Sequence, residues 1–379
     1  MVGDGTHLYF CQTHQRGGIH MTRQQFLQEF LYALEPLSPE ERQQISDYYE
    51  ELICDGLEQG LTEEEVLARF GSPQEEAARF RAENPVSPTP QEPSLYTPRG
   101  EIHTLDLSSQ CASISLIPVE SGPLCVSFAS NPQRDLVETS EEGGVWTFRH
   151  TLRRKRLRHF FGFGLSNLKI QVRVPCSFHG TLLIATSNAA VTGEGLPSLE
   201  RLAIHSTNDS IRLNTLEAST CNLETSNASI RVQNYSGQTL QAKSSNGTLE
   251  GETIRCYGHH WETSNAAIRL TDAQSLSLTA ATSNGRITAC ACEAREFNLV
   301  SSNASLVLDN IAGDQLTLCT SNGSITGTVR GNPQEYHIEG RTSNASCNLP
   351  SDSCPLQNVG ANKLLSAITS NGKIHVDFV

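Results

Sequence analysis

A chain of 379 residues is long enough for two domains and a sizeable core, and only 18% of it is charged. Its formal charge of −13 argues against general nucleic-acid binding, and no apolar run approaches the roughly 20 residues of a membrane helix. Ser, Thr, Asn and Gly fill the place of the missing charges, a composition suited to stacked strands and tight turns.

Residues 1–20 carry His7, His14 and His20 but neither a basic leader nor the apolar block of a secretory signal. They read as a non-native or disordered extension, with Met21 as the natural start. The expectation is therefore a cytoplasmic protein, peripheral to a membrane if it meets one. The twelve cysteines are then expected to stay reduced. Cys221, Cys319 and Cys347 read as small core fillers; the spacing of Cys256, His259 and His260, or of Cys290 and Cys292, matches no zinc motif. No metal or cofactor is expected.

Residues 21–84 form a helical module. Ser38-Pro39-Glu40-Glu41, Thr62-Glu63-Glu64-Glu65 and Ser72-Pro73-Gln74-Glu75 are helix starts, and Gly60 and Gly71 sit where helix ends favour a left-handed residue. The predicted helices are 23–35, 39–59, 63–70 and 73–83. Phe26, Leu27, Phe30, Leu31 and Leu34 make one apolar stripe, and Ile45, Tyr48, Leu52 and Ile53 a second. The opposite face is acidic, with Glu40, Glu41, Asp47, Glu50, Glu51, Asp55, Glu58 and Glu63 to Glu65. It reads either as a solvated face or as the docking face for a protein partner.

The stretches Arg23-Gln24-Gln25-Phe26-Leu27, Asp47-Tyr48-Tyr49-Glu50-Glu51 and Gly60-Leu61-Thr62-Glu63-Glu64-Glu65 through Phe70-Gly71-Ser72-Pro73 resemble the bacterial helical signalling module HAAS. In that family the module usually precedes membrane helices, often near a PadR-type regulator. This chain has no such helix. Four prolines between Asn84 and Pro93 then mark an extended linker, placed at 85–99.

The remainder, 100–379, reads as mostly β. A Thr/Ser-Ser-Asn motif recurs at a constant step, with its Asn at 227, 246, 265, 284, 303 and 322. Looser copies end at Asn188, Asn208, Asn344 and Asn371, so the repeats are clearest over 183–379. Apolar residues alternate on either side of each Asn, as in Cys221 and Leu223 before Asn227 and Ile230 and Val232 after it. Such even spacing predicts a β-solenoid in which the Asn turns a corner and stacked amides bond in a ladder. Beyond Asn227 the next residue alternates Ala and Gly, and the fifth alternates large and small, with Val376 out of step. One turn is thus either a single repeat or a double unit made of two. An antiparallel meander is the competing arrangement, since Asn-Gly also favours hairpins.

These repeats, with Leu105-Asp106-Leu107-Ser108-Ser109 and Val172-Arg173-Val174-Pro175 ahead of them, resemble the bacterial putative-adhesin β-strand-repeat family, a domain of unknown function. The family name implies adhesion by analogy of fold.

The strongest candidate binding segment is Arg149, Arg153, Arg154, Lys155, Arg156 and Arg158 interleaved with Phe160, Phe161 and Phe163. Cations followed by aromatics suit an anionic lipid surface or cell-wall polymer. They equally suit docking onto the acidic helices, or a solvated hairpin. Carboxylates such as Glu224, Glu250, Glu262, Asp272 and Asp309 occupy different template positions, and no phosphate loop, zinc motif or nucleophile elbow occurs. The expected function is a non-enzymatic binding or scaffolding protein associated with the cell envelope or its stress signalling. The alternatives are a cytosolic regulator acting through its helices and a carbohydrate-active solenoid enzyme.

Overall fold

The computed structural model describes residues 21–35, 39–58, 60–83, 93–132, 135–153, 168–350 and 361–379. The N-terminal extension and most of the proline-rich stretch lie outside these residues. The described chain divides into a helical unit and a β unit.

The helical unit has helices Arg23–Ala33, Pro39–Glu58, Glu63–Phe70 and Pro73–Glu83. Thr22 and Thr62 close reciprocal capping boxes with Gln25 and Glu65, and Ser72 exchanges the same bonds with Glu75. Gly60 and Gly71 have φ of 87° and 85°, the left-handed backbone that glycine adopts without strain. Phe26, Leu27, Phe30, Ile45, Ile53, Val66 and Leu67 are buried. Tyr49 joins them, 4.4 Å from the Phe30 ring, and its hydroxyl donates to the buried Glu76 carboxylate at 2.8 Å.

In the β unit, coils pair parallel, and the register between them equals the step of the sequence motif. Ile211 faces Ile230, Ile230 faces Leu249, Leu249 faces Ile268 and Ile268 faces Ile287. One turn of the solenoid is therefore one repeat, and both the double-unit turn and the antiparallel meander are excluded. Two corners recur from coil to coil with a clear signature. The first is the Ser-Asn motif. The second is a residue in the left-handed region, recurring once per coil as Thr215, Asn234, Thr253, Asp272, Ala291 and Asn310, with φ between 50° and 54°. None is glycine, so each carries some backbone strain offset by the stack.

Side chains line up in columns inside the coils. Leu202, Cys221, Leu240, His259, Leu278, Phe297 and Leu316 form one. Ala242, Trp261 and Ala280 belong to the next, so the indole is flanked by two methyls. Across the interior, a Cβ on Gly251 would lie 2.7 Å from Trp261 Cζ2. The small residue at 251 is thus volume matching around the bulky indole. Cys221 is buried in this interior, but Cys319 is half-buried and Cys347, on the terminal coil, is exposed. The core-filler role therefore holds for Cys221 and not for those two.

Stack order departs from chain order at both ends. The coil Thr104–Ser109 with Ser113–Val119 lies between Thr181–Thr186 with Val191–Glu194 on one side and Val145–Leu152 with Lys169–Pro175 on the other. Likewise Lys363–Ile368 with Ile374–Phe378 is inserted between Gln315–Thr320 with Ile325–Val329 and Tyr336–Arg341 with Cys347–Asn348. Val376 therefore stacks directly on Gly327, a large residue on a small one, while Gly372 lies on Gly323 and interrupts the Ala-Gly alternation.

Antiparallel strands cover the N-terminal edges. Asp135–Glu142 folds on Val145–Leu152 through Gly143 and Gly144, both at positive φ. Cys125–Phe128 pairs with Lys169–Pro175, and Ser94–Tyr96 with Cys125–Phe128. The end of the expected linker is thus a strand of the β unit. The outermost strands are short or acid-rich, which discourages edge-to-edge pairing.

Candidate binding surface

The motif asparagines stand in a single exposed column. Asn208 Nδ2 donates to Asn188 Oδ1 at 2.7 Å, and Asn227, Asn246, Asn265, Asn284, Asn303 and Asn322 each repeat the bond to the preceding Asn at 2.7–2.8 Å. Asn371 then bonds Asn322, and Asn344 bonds Asn371, following stack order rather than chain order. The hydroxyl two residues before most of these asparagines does complementary work. Thr282 Oγ1 accepts from Gly285 N–H at 3.1 Å and donates to Ala266 O of the neighbouring coil at 3.2 Å. Ser244, Ser301, Thr320 and Thr369 make the same pair of bonds. These groups hold coils together, and their chemistry is architectural.

Of the basic-aromatic segment, Arg149 and Arg153 are described. Arg149 makes a two-pronged ion pair with Asp106, one bond at 2.8 Å, which raises its pKa through that hydrogen bond. Arg153 Nε donates to the Asp135 carbonyl at 3.3 Å. Arg154, Lys155, Arg156, Arg158, Phe160, Phe161 and Phe163 lie outside the described residues. On the helical unit Asp47, Glu50, Asp55, Glu63 and Glu64 are exposed, while the Thr62 backbone N–H holds the Glu65 carboxyl below its ordinary pKa. The side chains of Glu40, Glu41, Glu51 and Glu58 are outside the description.

One constellation has the composition of a catalytic triad. Ser109 Oγ lies 2.9 Å from His150 Nδ1, and His150 Nε2 lies 3.3 Å from Asp135 Oδ1. All three residues are more than nine-tenths buried. Ser109 occupies the motif-hydroxyl position and accepts from Ala112 N–H at 3.1 Å, while Asp135 accepts from Asn131 N–H at 2.8 Å. A nucleophile must reach its substrate, and this hydroxyl faces the interior. The network ties the antiparallel cap to the first coils.

Among the described residues no group of three or more His, Cys, Asp or Glu is placed to hold a metal ion. His259 points inward and is buried, whereas its neighbour His260 faces Glu262 outside. Burial pushes the Cys256 thiol up to about 12 and the Cys292 thiol to about 11, so both stay protonated and unreactive at neutral pH.

An open groove of about 520 Å³ lies on the outer face where the cap meets the regular coils. Its shape follows from strand length. Val191–Glu194 turns away at Gly195 (φ 64°), while Ser113–Val119 and Lys169–Pro175 run further. Lys169, Arg212 and Arg231 line it together with Ser115, Thr192, Asn214 and Gln233, over apolar surface from Leu116, Ile117 and Leu213. Arg212 faces Arg231 directly across the parallel register, and Thr192 faces Arg212 on the other side. Reading the sequence alone misses this group because its members come from separate strands. Only the spacing of Arg212 and Arg231, one repeat apart, hints at it.

The fold is that of a parallel β-solenoid with an exposed asparagine ladder and a capped N-terminal end. Residues 90–326 match the family model Toastrack DUF4097, and the chain belongs to that family. Residues 25–79 match the HAAS model. Similar solved structures include a putative cell adhesion protein from Clostridium sporogenes (6% identity, TM-score 0.27, covering 76% of this chain and 99% of that one). Another is a putative adhesin from Bacteroides fragilis (11% identity, TM-score 0.35, covering 76% and 96%). A third is a putative lipid binding protein from Parabacteroides distasonis (12% identity, TM-score 0.36, covering 76% and 96%). No curated protein matches the chain. Among the described residues no helix is long and apolar enough to cross a membrane.

Proposed function

We propose that the protein is a non-enzymatic binding or scaffolding protein of the bacterial cell envelope. Its solenoid presents a rigid ligand-binding face, and its helical unit docks a protein partner through the acidic face. The observation that carries this reading is where the polar side chains go. The recurring Asn, Ser and Thr bond coil to coil, and the one Ser-His-Asp set among the described residues is sealed in the cap. What this leaves open to solvent is a stiff outer face with a groove where cations and hydroxyls stand beside apolar surface, suited to recognition without chemistry. The basic-aromatic segment Arg149 to Phe163 would add a second contact to an anionic surface.

The test is co-sedimentation of the full chain with anionic and neutral vesicles and with isolated cell-wall polymers, beside a pull-down from the native cell. Retention on at least one envelope component at micromolar concentration is expected. The proposal fails if the chain stays in the supernatant with every component.

A further inference from the structure

We infer that the groove is an anion-binding subsite for a polyhydroxylated polymer carrying carboxylate or phosphate groups, with Arg212 as its principal contact. This rests on the binding reading above and names the ligand class of that face.

Charge bookkeeping around the groove carries the inference. Arg212 and Arg231 are directly opposed on adjacent parallel strands, which lie about 4.8 Å apart, and like charges so placed repel. Arg231 has acids on its far side, Glu250 at 3.8 Å and Glu252 at 3.7 Å. Among the described residues Arg212 and Lys169 have no acid within ion-pair distance, and both side chains are exposed at the groove. Glu194, the acid of the lining, accepts from Asn214 Nδ2 at 3.2 Å and does not reach Arg212. The fold therefore holds two cations close together with one of them unbalanced, an arrangement that a bound oxyanion relieves. A guanidinium on a rigid strand suits the paired oxygens of a carboxylate or phosphate.

The groove also says what carries the anion. Ser115 Oγ and Thr192 Oγ1 lie 3.2 Å apart beside Arg212 in the same row. This pair can donate to and accept from ligand hydroxyls, and Asn214 and Gln233 form the neighbouring polar row, in which Gln233 Nε2 donates to Glu252 at 2.6 Å. Leu116, Ile117 and Leu213 complete the lining with apolar surface, on which the C–H face of a sugar ring can lie while its hydroxyls meet the polar row. A sugar or polyol chain bearing anions fits both features.

The experiment is calorimetric titration of the full chain with polygalacturonate, a poly(glycerol phosphate), neutral dextran and phosphatidylglycerol vesicles. Arg212→Ser and Lys169→Ser are compared with Arg269→Ser, which removes the same charge beyond the groove. All three side chains are exposed, so unfolding midpoints should match wild type and serve as the folding check. Binding to one or both anionic polymers but not dextran is expected, weakened about tenfold by R212S and little by R269S. The polymer that binds decides between carboxylate and phosphate. Equal binding of dextran, binding confined to vesicles, or equal affinity of R212S and wild type would overturn the inference and leave the binding proposal standing. Silence toward every ligand here and in the sedimentation panel removes both.

Discussion

His259 shows how one side chain can set the acid limit of the stack. Its Nδ1 accepts from Trp261 Nε1–H at 2.7 Å, so the neutral ring carries its proton on Nε2, which is buried without a partner. Burial pushes its pKa down from 6.5 to about 4. The unfolded chain therefore binds the proton first as pH falls, and stability present above pH 6.5 is lost progressively toward pH 4. The loss is on the order of 3 kcal/mol for this group, from about 1.4 kcal/mol per pKa unit. His259→Leu should flatten the dependence of the unfolding midpoint on pH across that window, measured by thermal denaturation. An unchanged slope would remove His259 from the account. Two threonines make a sharper pair at the same scale. Thr282→Val strands a buried N–H and a part-buried carbonyl and should cost about 2 kcal/mol. Thr186 holds the equivalent corner, yet its hydroxyl is buried without a partner, so Thr186→Val should be neutral or stabilising. Equal destabilisation of both in urea melts would refute the assigned role of the hydroxyl.

At the scale of the coil, the residue after each Asn is decided by the neighbouring turn. A Cβ on Gly247, Gly285 or Gly323 would fall on the carbonyl oxygen of Ala228, Ala266 or Ala304. Those alanines keep their methyl groups, so coils of two kinds alternate. Gly247→Ala should force the stack apart locally and lower stability by at least about 2 kcal/mol, whereas Ala266→Gly should cost about 1 kcal/mol through backbone entropy. Chemical denaturation of the two variants checks the asymmetry. The left-handed corners were not legible in the residue types. Thr215, Thr253 and Ala291 carry no signal for positive φ, and only their recurrence in step with Asn234, Asp272 and Asn310 connects them.

Over the whole β unit, the exchange of coil order is the main architectural device. A strand at the open end of a stack has one neighbour and frays readily. Here the first and last coils of the β unit are placed one layer in, with a neighbour on each side. The coil Tyr336–Arg341 with Cys347–Asn348 then reaches the stack through Lys363–Ile368 and Ile374–Phe378. Removing residues 363–379 should abolish hydrogen-exchange protection over 336–348 as well, while the coils from Leu199 to Ser301 keep theirs. Undiminished protection of 336–348 in the truncated chain would contradict this pairing. Stability that depends on nearest-neighbour coils predicts such a local loss rather than global unfolding.

The helical unit and the β repeat were readable in the sequence because both depend on short-range rules. Capping boxes act within a single helical turn, and a strand with one buried face must alternate. The corner asparagines were visible for the same reason, since each coil repeats one local problem. The coil order at the two ends, the sealed Ser109-His150-Asp135 network and the groove around Arg212 were decided only in three dimensions. Each joins residues far apart in the chain whose partners no local pattern specifies. Parallel stacking brings any coil of matching shape into register, so the choice among matching coils belongs to the tertiary structure.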